Sequence, residues 1–265
     1  MNSSSIELKN KFKKRLLSLY YCTLNSAQKT QTNQKRIRES EWEAIKQYIE
    51  KGNFLDIGCG VGISLDLARK EGCTVFGVDP NPKWEGLRNN LTTLEFSEDT
   101  IKKAYSESLP FLDNMFKTVY SSHVLEHVDD LEKTLQEMNR VVSENGVIII
   151  GVPTATMAWI NWITQFLFTT HHKIVNILFS KFINTAQLKW WEIFIPSSHC
   201  FNGKTIVFDI KNYRSKIWKK KIENKLIIKE IIHPCLYPYP DYIPLFPFCK
   251  SRYFSSSVFF ICKKK

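Results

Sequence analysis

Between Phe54 and Ser64 the chain reads FLDIGCGVGIS: an apolar stretch, an acid, then three glycines within five residues. Few folds accept such a run. The apolar residues suit a buried strand, and closely spaced glycines allow a tight turn from which a helix starts at once. The rest of the chain keeps that rhythm. Asn53–Ile57 is predicted as a strand, and the helix after the glycines runs to about Glu71, where Gly72 stops it. Thr74–Val78 is a second strand, a weaker one is expected near Thr100–Tyr105, and Lys117–Ser121 is another. A helix follows over Leu131–Val142, with Asn145-Gly146 as the turn into a strand at Val147–Val152. Strands separated by helical spacers call for a parallel α/β sheet with crossover connections.

The flanks differ from this middle part. Net charge is +11, but residues 1–40 carry nine Lys/Arg against two acids, 41–152 carry eleven against nineteen, and 153–265 carry seventeen against five. An anionic partner would therefore meet the two ends rather than the centre. Residues 1–38 read as a basic N-terminal arm, with Asn25–Gln34 as a polar linker and Glu39–Glu50 as a short amphipathic helix. Past Pro153, Met157–Phe182 is aromatic and apolar, yet polar residues interrupt it too often for a membrane span. A basic helix is expected at Asp209–Asn224, a strand at Leu226–Ile232, a proline-aromatic loop at His233–Phe248 and a last strand at Ser255–Cys262. The seven cysteines contain no C-x-x-C pair, which argues against a disulfide framework or a zinc knuckle and fits a reducing cytoplasm. The polar N-terminus has no signal-peptide character.

The glycine turn decides between nucleotides. Asp79 ends the second strand 21 positions after Gly58, where a carboxylate can accept hydrogen bonds from both ribose hydroxyls. A dinucleotide turn reads G-x-G-x-x-G so that a pyrophosphate can rest on the helix N-terminus. Here the third glycine, Gly62, comes one residue early, and Asp56 would repel a pyrophosphate while suiting a cationic ligand.

The stretch resembles motif I of class I S-adenosylmethionine (SAM)-dependent methyltransferases, and further motifs follow in the family's order. GVDPNP (Gly77–Pro82) is similar to the ribose-binding strand end, and SESLPFLDNMF (Ser106–Phe116) to the stretch that holds adenine. VYSSHVLEHVDD (Val119–Asp130) resembles the segment after the fourth strand in the small-molecule branch, and NRVVSENGVIII (Asn139–Ile150) the helix, turn and strand beyond. The resemblance covers about residues 40–153. It implies a Rossmann-like sheet of seven strands, mostly parallel with a C-terminal antiparallel strand, and a helical insertion or lid. Residues 39–153 would be the SAM-binding core, 154–205 the apolar insertion, and 206–265 the helix and strands that complete the sheet. It implies cofactor contacts at Asp56, Gly58, Cys59, Gly60, Gly62, Asp79, Pro80, Ser106, Glu107, Ser121 and Ser122. Tyr105 stands where the family usually has the acid that bonds the adenine amino group.

Methyl transfer is an in-line displacement on an already activated carbon, so the protein mostly aligns the reactants and excludes water. A base helps when the acceptor is a hydroxyl. His123, His127 and His199 are the candidates; His123 lies nearest the expected strand end, and His127 falls one helical turn later. Each also has the bland reading of a histidine satisfied by its neighbours. His171-His172 with Cys200 lacks metal-ligand spacing, so no metal is expected. The motifs of base-amino and pyrimidine methylation are missing after the fourth strand, which counts against nucleic acid as acceptor. The insertion has three readings: a lid over a greasy acceptor, an interfacial pair of helices, or extra core. With the basic arm it favours an oxygen of a lipid-linked, glycan or other membrane-adjacent acceptor. That implies a cytoplasmic enzyme, peripheral at the inner face of an anionic membrane. A soluble metabolite, or a non-catalytic SAM-binding subunit of a membrane assembly, is the alternative.

Overall fold

The computed structural model describes residues 27–83, 100–166, 170, 174, 190–198, 200, 204–238 and 254–265. Its strands are β1 (Asn53–Ile57), β2 (Thr74–Asp79), β3 (Ile101–Lys103), β4 (Phe116–Ser122), β5 (Val142–Pro153), β6 (Ile227–Ile232) and β7 (Ser257–Lys263). Its helices are α1 (Ala27–Ile45), α2 (Ile63–Lys70), α3 (Leu131–Val141), α4 (155–166), α5 (Ile206–Asn212) and α6 (Ser215–Glu223). The strands form one sheet in the order β3-β2-β1-β4-β5-β7-β6. Its first five strands are parallel, and β7 runs antiparallel to both β5 and β6. This matches the implied sheet of seven strands, mostly parallel with the C-terminal strand antiparallel.

The apolar strands are explained by cover on both faces. On one face Leu55, Ile57, Ile148, Ile150, Val258 and Phe260 pack with Leu135 and Met138 of α3 and Trp218 and Ile222 of α6. The alternate residues Phe54, Val147, Ile149, Phe259 and Ile261 meet Trp42 and Ile45 of α1 and Leu65 and Ala68 of α2. The side-chain period of two thus divides each strand between two cores. Asp130 caps α3 by accepting the Lys133 amide at 3.0 Å.

Four local expectations need correction. The polar run expected as a linker is helical from Ala27, and α1 continues through the supposed boundary at residue 38 to Ile45. Its inward positions, Asn33, Ile37, Glu41 and Ile45, are spaced by four, so one narrow stripe is enough to hold a polar helix. The turn at Asn145-Gly146 is instead a bulge: β5 already pairs at Val142 with Phe116, and the next pair is Val147 with Thr118. The basic helix is broken between α5 and α6, where the Tyr213 carbonyl accepts the Ala155 amide at 3.0 Å and Arg214 is extended. His123 and His127 do not share a helix; the chain there turns, with His123 at φ 56° and the His127 amide bonded to the Val124 carbonyl.

Candidate functional site

The site lies at the carboxyl ends of β1, β2 and β4, where helices leave the sheet and a crevice opens. Gly58, Gly60 and Gly62 have φ of 76°, 50° and 78°, conformations open to glycine and strained for other residues. The Gly58 and Cys59 amides both donate to the Val78 carbonyl, at 2.8 and 3.1 Å, which straps the loop onto β2. Asp79 finishes that strap: its Oδ2 accepts the Gly60 amide at 3.0 Å and its Oδ1 the Asn81 amide at 2.8 Å. Each oxygen keeps a lone pair for another donor.

Beside this loop is a cleft of about 140 Å³, walled by Gly58, Pro80, Tyr105–Glu107, Val124 and His127–Asp129. Ile57, Val78, Ala104 and Val128 add apolar surface, a lining that suits a flat ring. Glu107 does not point into open space. Its Oε1 accepts the Asp129 amide at 3.1 Å and its Oε2 the Ser106 hydroxyl at 3.0 Å, so it fixes the two loops that frame the cleft. Tyr105 stands on the rim, 67% exposed.

Other expected residues are distributed differently. Asp56 is buried beneath the loop; burial raises its pKa to about 8, with Arg38 opposing and Asp79 adding to the rise. Cys59 turns its side chain into the core against Gly77, leaving its backbone to the loop. Ser121 is buried and Ser122 accepts from Arg38 at 3.0 Å; neither lines the cleft. His199 falls outside the described residues. His127 is on the cleft wall, its Nε2 3.7 Å from Cys200 Sγ, to which the Tyr213 hydroxyl donates at 2.8 Å.

His123 enters a buried ion cluster instead. Its Nε2 is 3.4 Å from Glu41 Oε1 and 3.3 Å from the Tyr237 hydroxyl, and its Nδ1 is 3.5 Å from Glu126 Oε1. Burial and Arg38 both lower its pKa, but Glu126 and Glu41 outweigh them and the net direction is upward. Burial likewise opposes the charge on Glu41, yet Arg38 and His123 hold its carboxyl well below the usual range. Arg38, Glu41 and Tyr237 were not among the residues expected from sequence. The i,i+3 spacing of Arg38 and Glu41 was the only trace, and it reads equally well as a surface pair.

Comparison with known proteins agrees with this geometry. A methyltransferase-domain family model matches residues 33–200, more than half of the chain. Ajmaline N-methyltransferase from Rauvolfia serpentina is 33% identical over 101 residues, 37% of this chain and 35% of that enzyme. Ubiquinone biosynthesis O-methyltransferase from Rhizobium leguminosarum bv. trifolii is 29% identical over 109 residues, 41% of this chain and 43% of the relative. The matches thus span well under half the length of these relatives. Among solved structures, a SAM-dependent methyltransferase from Thermotoga maritima aligns over 86% of this chain and 88% of its own, with a TM-score of 0.52 at 19% identity, a likeness of fold. The loop, the acid at the end of β2 and the apolar cleft suit a nucleoside with a cationic tail, and the chain belongs to the methyltransferase-domain family, of the class I kind whose cofactor is S-adenosylmethionine.

Proposed function

We propose that this chain transfers a methyl group from SAM to an oxygen of a small acceptor presented at a membrane surface. When bound, SAM supplies a methyl already activated by a sulfonium. The chain's residues do the rest. Asp79 accepts from the ribose hydroxyls, the Ala104–Glu107 stretch and Val128 sandwich the base, and Arg38 faces the cofactor carboxylate. Asp56 backs the cationic tail. His127, on the cleft wall, takes the acceptor's proton as the new bond forms. His123, tied between two carboxylates that raise its pKa, is poorly suited to that task and positions its neighbours.

One observation carries the choice of acceptor. Helix α4 buries Met157, Ala158, Asn161 and Thr164 but turns Trp159, Ile163 and Phe166 outward, at i, i+4 and i+7. Trp159 stacks on Trp162 at 5.2 Å, Trp162 donates to the Phe194 carbonyl at 2.6 Å, and Phe166 lies 6.3 Å from Phe194. Trp159, Ile163, Phe166 and Phe194 are 44% to 53% exposed, large apolar side chains turned to the surface rather than to the core. The bond from the Ala155 amide to Tyr213 sets the start of α4 against the α5–α6 junction, and residues 204–225 carry eight Lys/Arg against two acids. Aromatic residues beside cations suit the headgroup level of an anionic bilayer. No helix of the described residues is long and apolar enough to cross a membrane.

Two measurements test this. Replacing Trp159 and Phe166 by serine should weaken sedimentation with phosphatidylserine vesicles by about tenfold, roughly the loss of 1–2 kcal/mol of apolar burial, and leave cofactor binding unchanged. No vesicle association of the wild type at low salt would leave a soluble acceptor as the better reading. Incubation with methyl-labelled SAM and separate lipid, glycan, small-metabolite and RNA fractions then identifies the acceptor, and label found only in RNA would sink the proposal. No transfer to any fraction would favour a non-catalytic SAM-binding role.

Asp56 supplies a further expectation. With a pKa of about 8 the free protein holds Asp56 protonated at neutral pH. A permanent sulfonium nearby favours the carboxylate, so SAM affinity should rise with pH, by at most about tenfold per unit, and level off above about pH 8. Calorimetry in buffers of different ionisation enthalpy should show a proton released on binding. Flat affinity across that range would mean that Asp56 does not sense the cofactor's charge.

A further inference from the structure

Behind the cleft a single carboxylate touches most of the buried cluster. Glu41 is wholly buried, and its two oxygens look in different directions. Oε2 accepts from Arg38 Nη1 at 2.7 Å. Oε1 accepts the Tyr237 hydroxyl at 2.5 Å and stands 3.4 Å from His123 Nε2.

The partners of those oxygens belong to different halves of the site. Arg38 reaches toward the glycine loop: its charge acts on Asp56 beneath that loop, while Nη1 also donates to Ser122 Oγ at 3.0 Å at the end of β4. Its other nitrogens make no hydrogen bond among the described residues, which leaves a planar donor edge for a carboxylate. His123 follows Ser122 directly and lies further from β2, the strand that straps the glycine loop. Its amide donates to the Gly151 carbonyl at 2.9 Å, between the ends of β4 and β5 and away from the ribose end of β2. Tyr237 arrives from the segment after β6, where it packs with Cys235 against Ile37 of α1.

We propose that Glu41 is a positioning residue shared by both halves of the site, one oxygen setting Arg38 for the cofactor and the other setting His123 beside the acceptor. The inference rests on the methyltransferase reading of the cleft and adds a coupling to it. The groups facing His123 are Arg38 and Glu41 from α1, Glu126 from the turn after β4, and Tyr237. Arg38 opposes the imidazolium while the two carboxylates favour it. A cofactor carboxylate docked on Arg38 offsets that opposition, and because Glu41 bridges Arg38 and His123, His123 then holds its proton more firmly. A buried pair that served only stability gains little over apolar packing of the same shape. A bridge that reports occupation of one half to the other has a reason to stay charged.

The test uses the full chain with S-adenosylhomocysteine as probe, following the His123 ring protons by NMR through a pH titration. In the wild type the His123 midpoint should move upward when the probe saturates the site. In Glu41→Gln the midpoint of the free protein should fall, the movement on adding probe should vanish, and probe affinity should drop by about tenfold, the scale of one charge-assisted hydrogen bond. Tyr237→Phe leaves the Arg38–Glu41 pair intact, so it should bind the probe normally while its free His123 midpoint differs from the wild type. That variant decides the matter if circular dichroism shows Glu41→Gln unfolded. A His123 midpoint that the probe does not move in the wild type, equal movement in Glu41→Gln, or a Tyr237→Phe midpoint identical to the wild type would overturn the inference. Failure of the wild type to bind the probe would overturn the methyltransferase reading itself, and this inference with it.

Discussion

Asp79→Ala should cost this protein about 2–4 kcal/mol of cofactor affinity, roughly 30- to 1,000-fold, from two hydrogen bonds to a charged group. The effect has two sources. The carboxylate accepts from the ribose in our reading, and it already holds the Gly60 and Asn81 amides at 3.0 and 2.8 Å. Removing it takes away the ligand contact and slackens the loop that carries the other contacts. Asp79→Asn separates the two sources. Its amide oxygen can still accept the Gly60 amide, but its NH₂ cannot accept from a hydroxyl. Calorimetry with S-adenosylhomocysteine should place Asn between wild type and Ala. Unchanged affinity in both variants would move the ribose elsewhere.

Gly58→Ala should be among the most damaging single changes to stability. A Cβ there would stand 2.2 Å from Val124 Cγ2, and φ is +76°. The left-handed conformation costs roughly 1–2 kcal/mol for a residue with a Cβ, and forcing a methyl into packed surroundings typically another 1–3. A loss of about 2–5 kcal/mol is a large share of a domain's stability. Gly72 is the control. Its φ is +88°, but an added Cβ meets nothing within 4 Å, so Gly72→Ala should incur the backbone cost alone. Denaturant unfolding compares them directly, and equal losses would mean that Val124 yields freely. Because Val124 also walls the cleft, any movement that relieves Gly58→Ala should weaken cofactor binding as well.

What could be read before the structure follows from how local each signal is. β1 and β2 were legible because buried parallel strands are apolar runs punctuated by Gly or Asp. Asp79 and the three glycines were legible because turn chemistry and strand end lie within 26 residues of one another, from Asn53 to Asp79. The first half of α1 was not. Its sequence AQKTQTNQ is polar throughout, and only tertiary contacts at Asn33 and Ile37 betray a buried stripe. The ion cluster was less legible still, since Glu41 and Tyr237 are 196 residues apart and no spacing rule joins them. In sequence His123, His127 and His199 are alternatives for one role, and nothing local parts the first two. In the structure one is bound into that cluster while the other is on the cleft wall.

The order of the sheet carries a consequence for how this molecule is made. β7 is made after β5 and β6, yet it lies between them, pairing Gly151 with Phe259 on one side and Ile231 with Phe260 on the other. Until β7 arrives, β5 shows an open edge and β6, which reads IIKEII, has no strand to pair with among the described residues. Two isoleucine-rich edges thus wait side by side for a strand that is yet to emerge, the arrangement that favours pairing with the wrong chain. Lys229 and Glu230 in the middle of β6 interrupt its apolar run and discourage such pairing during that interval. A translational pause between β6 and β7 should therefore lower the yield of soluble protein more than an equal pause before β5, a difference that pulse-labelled synthesis with paused and unpaused messages can measure.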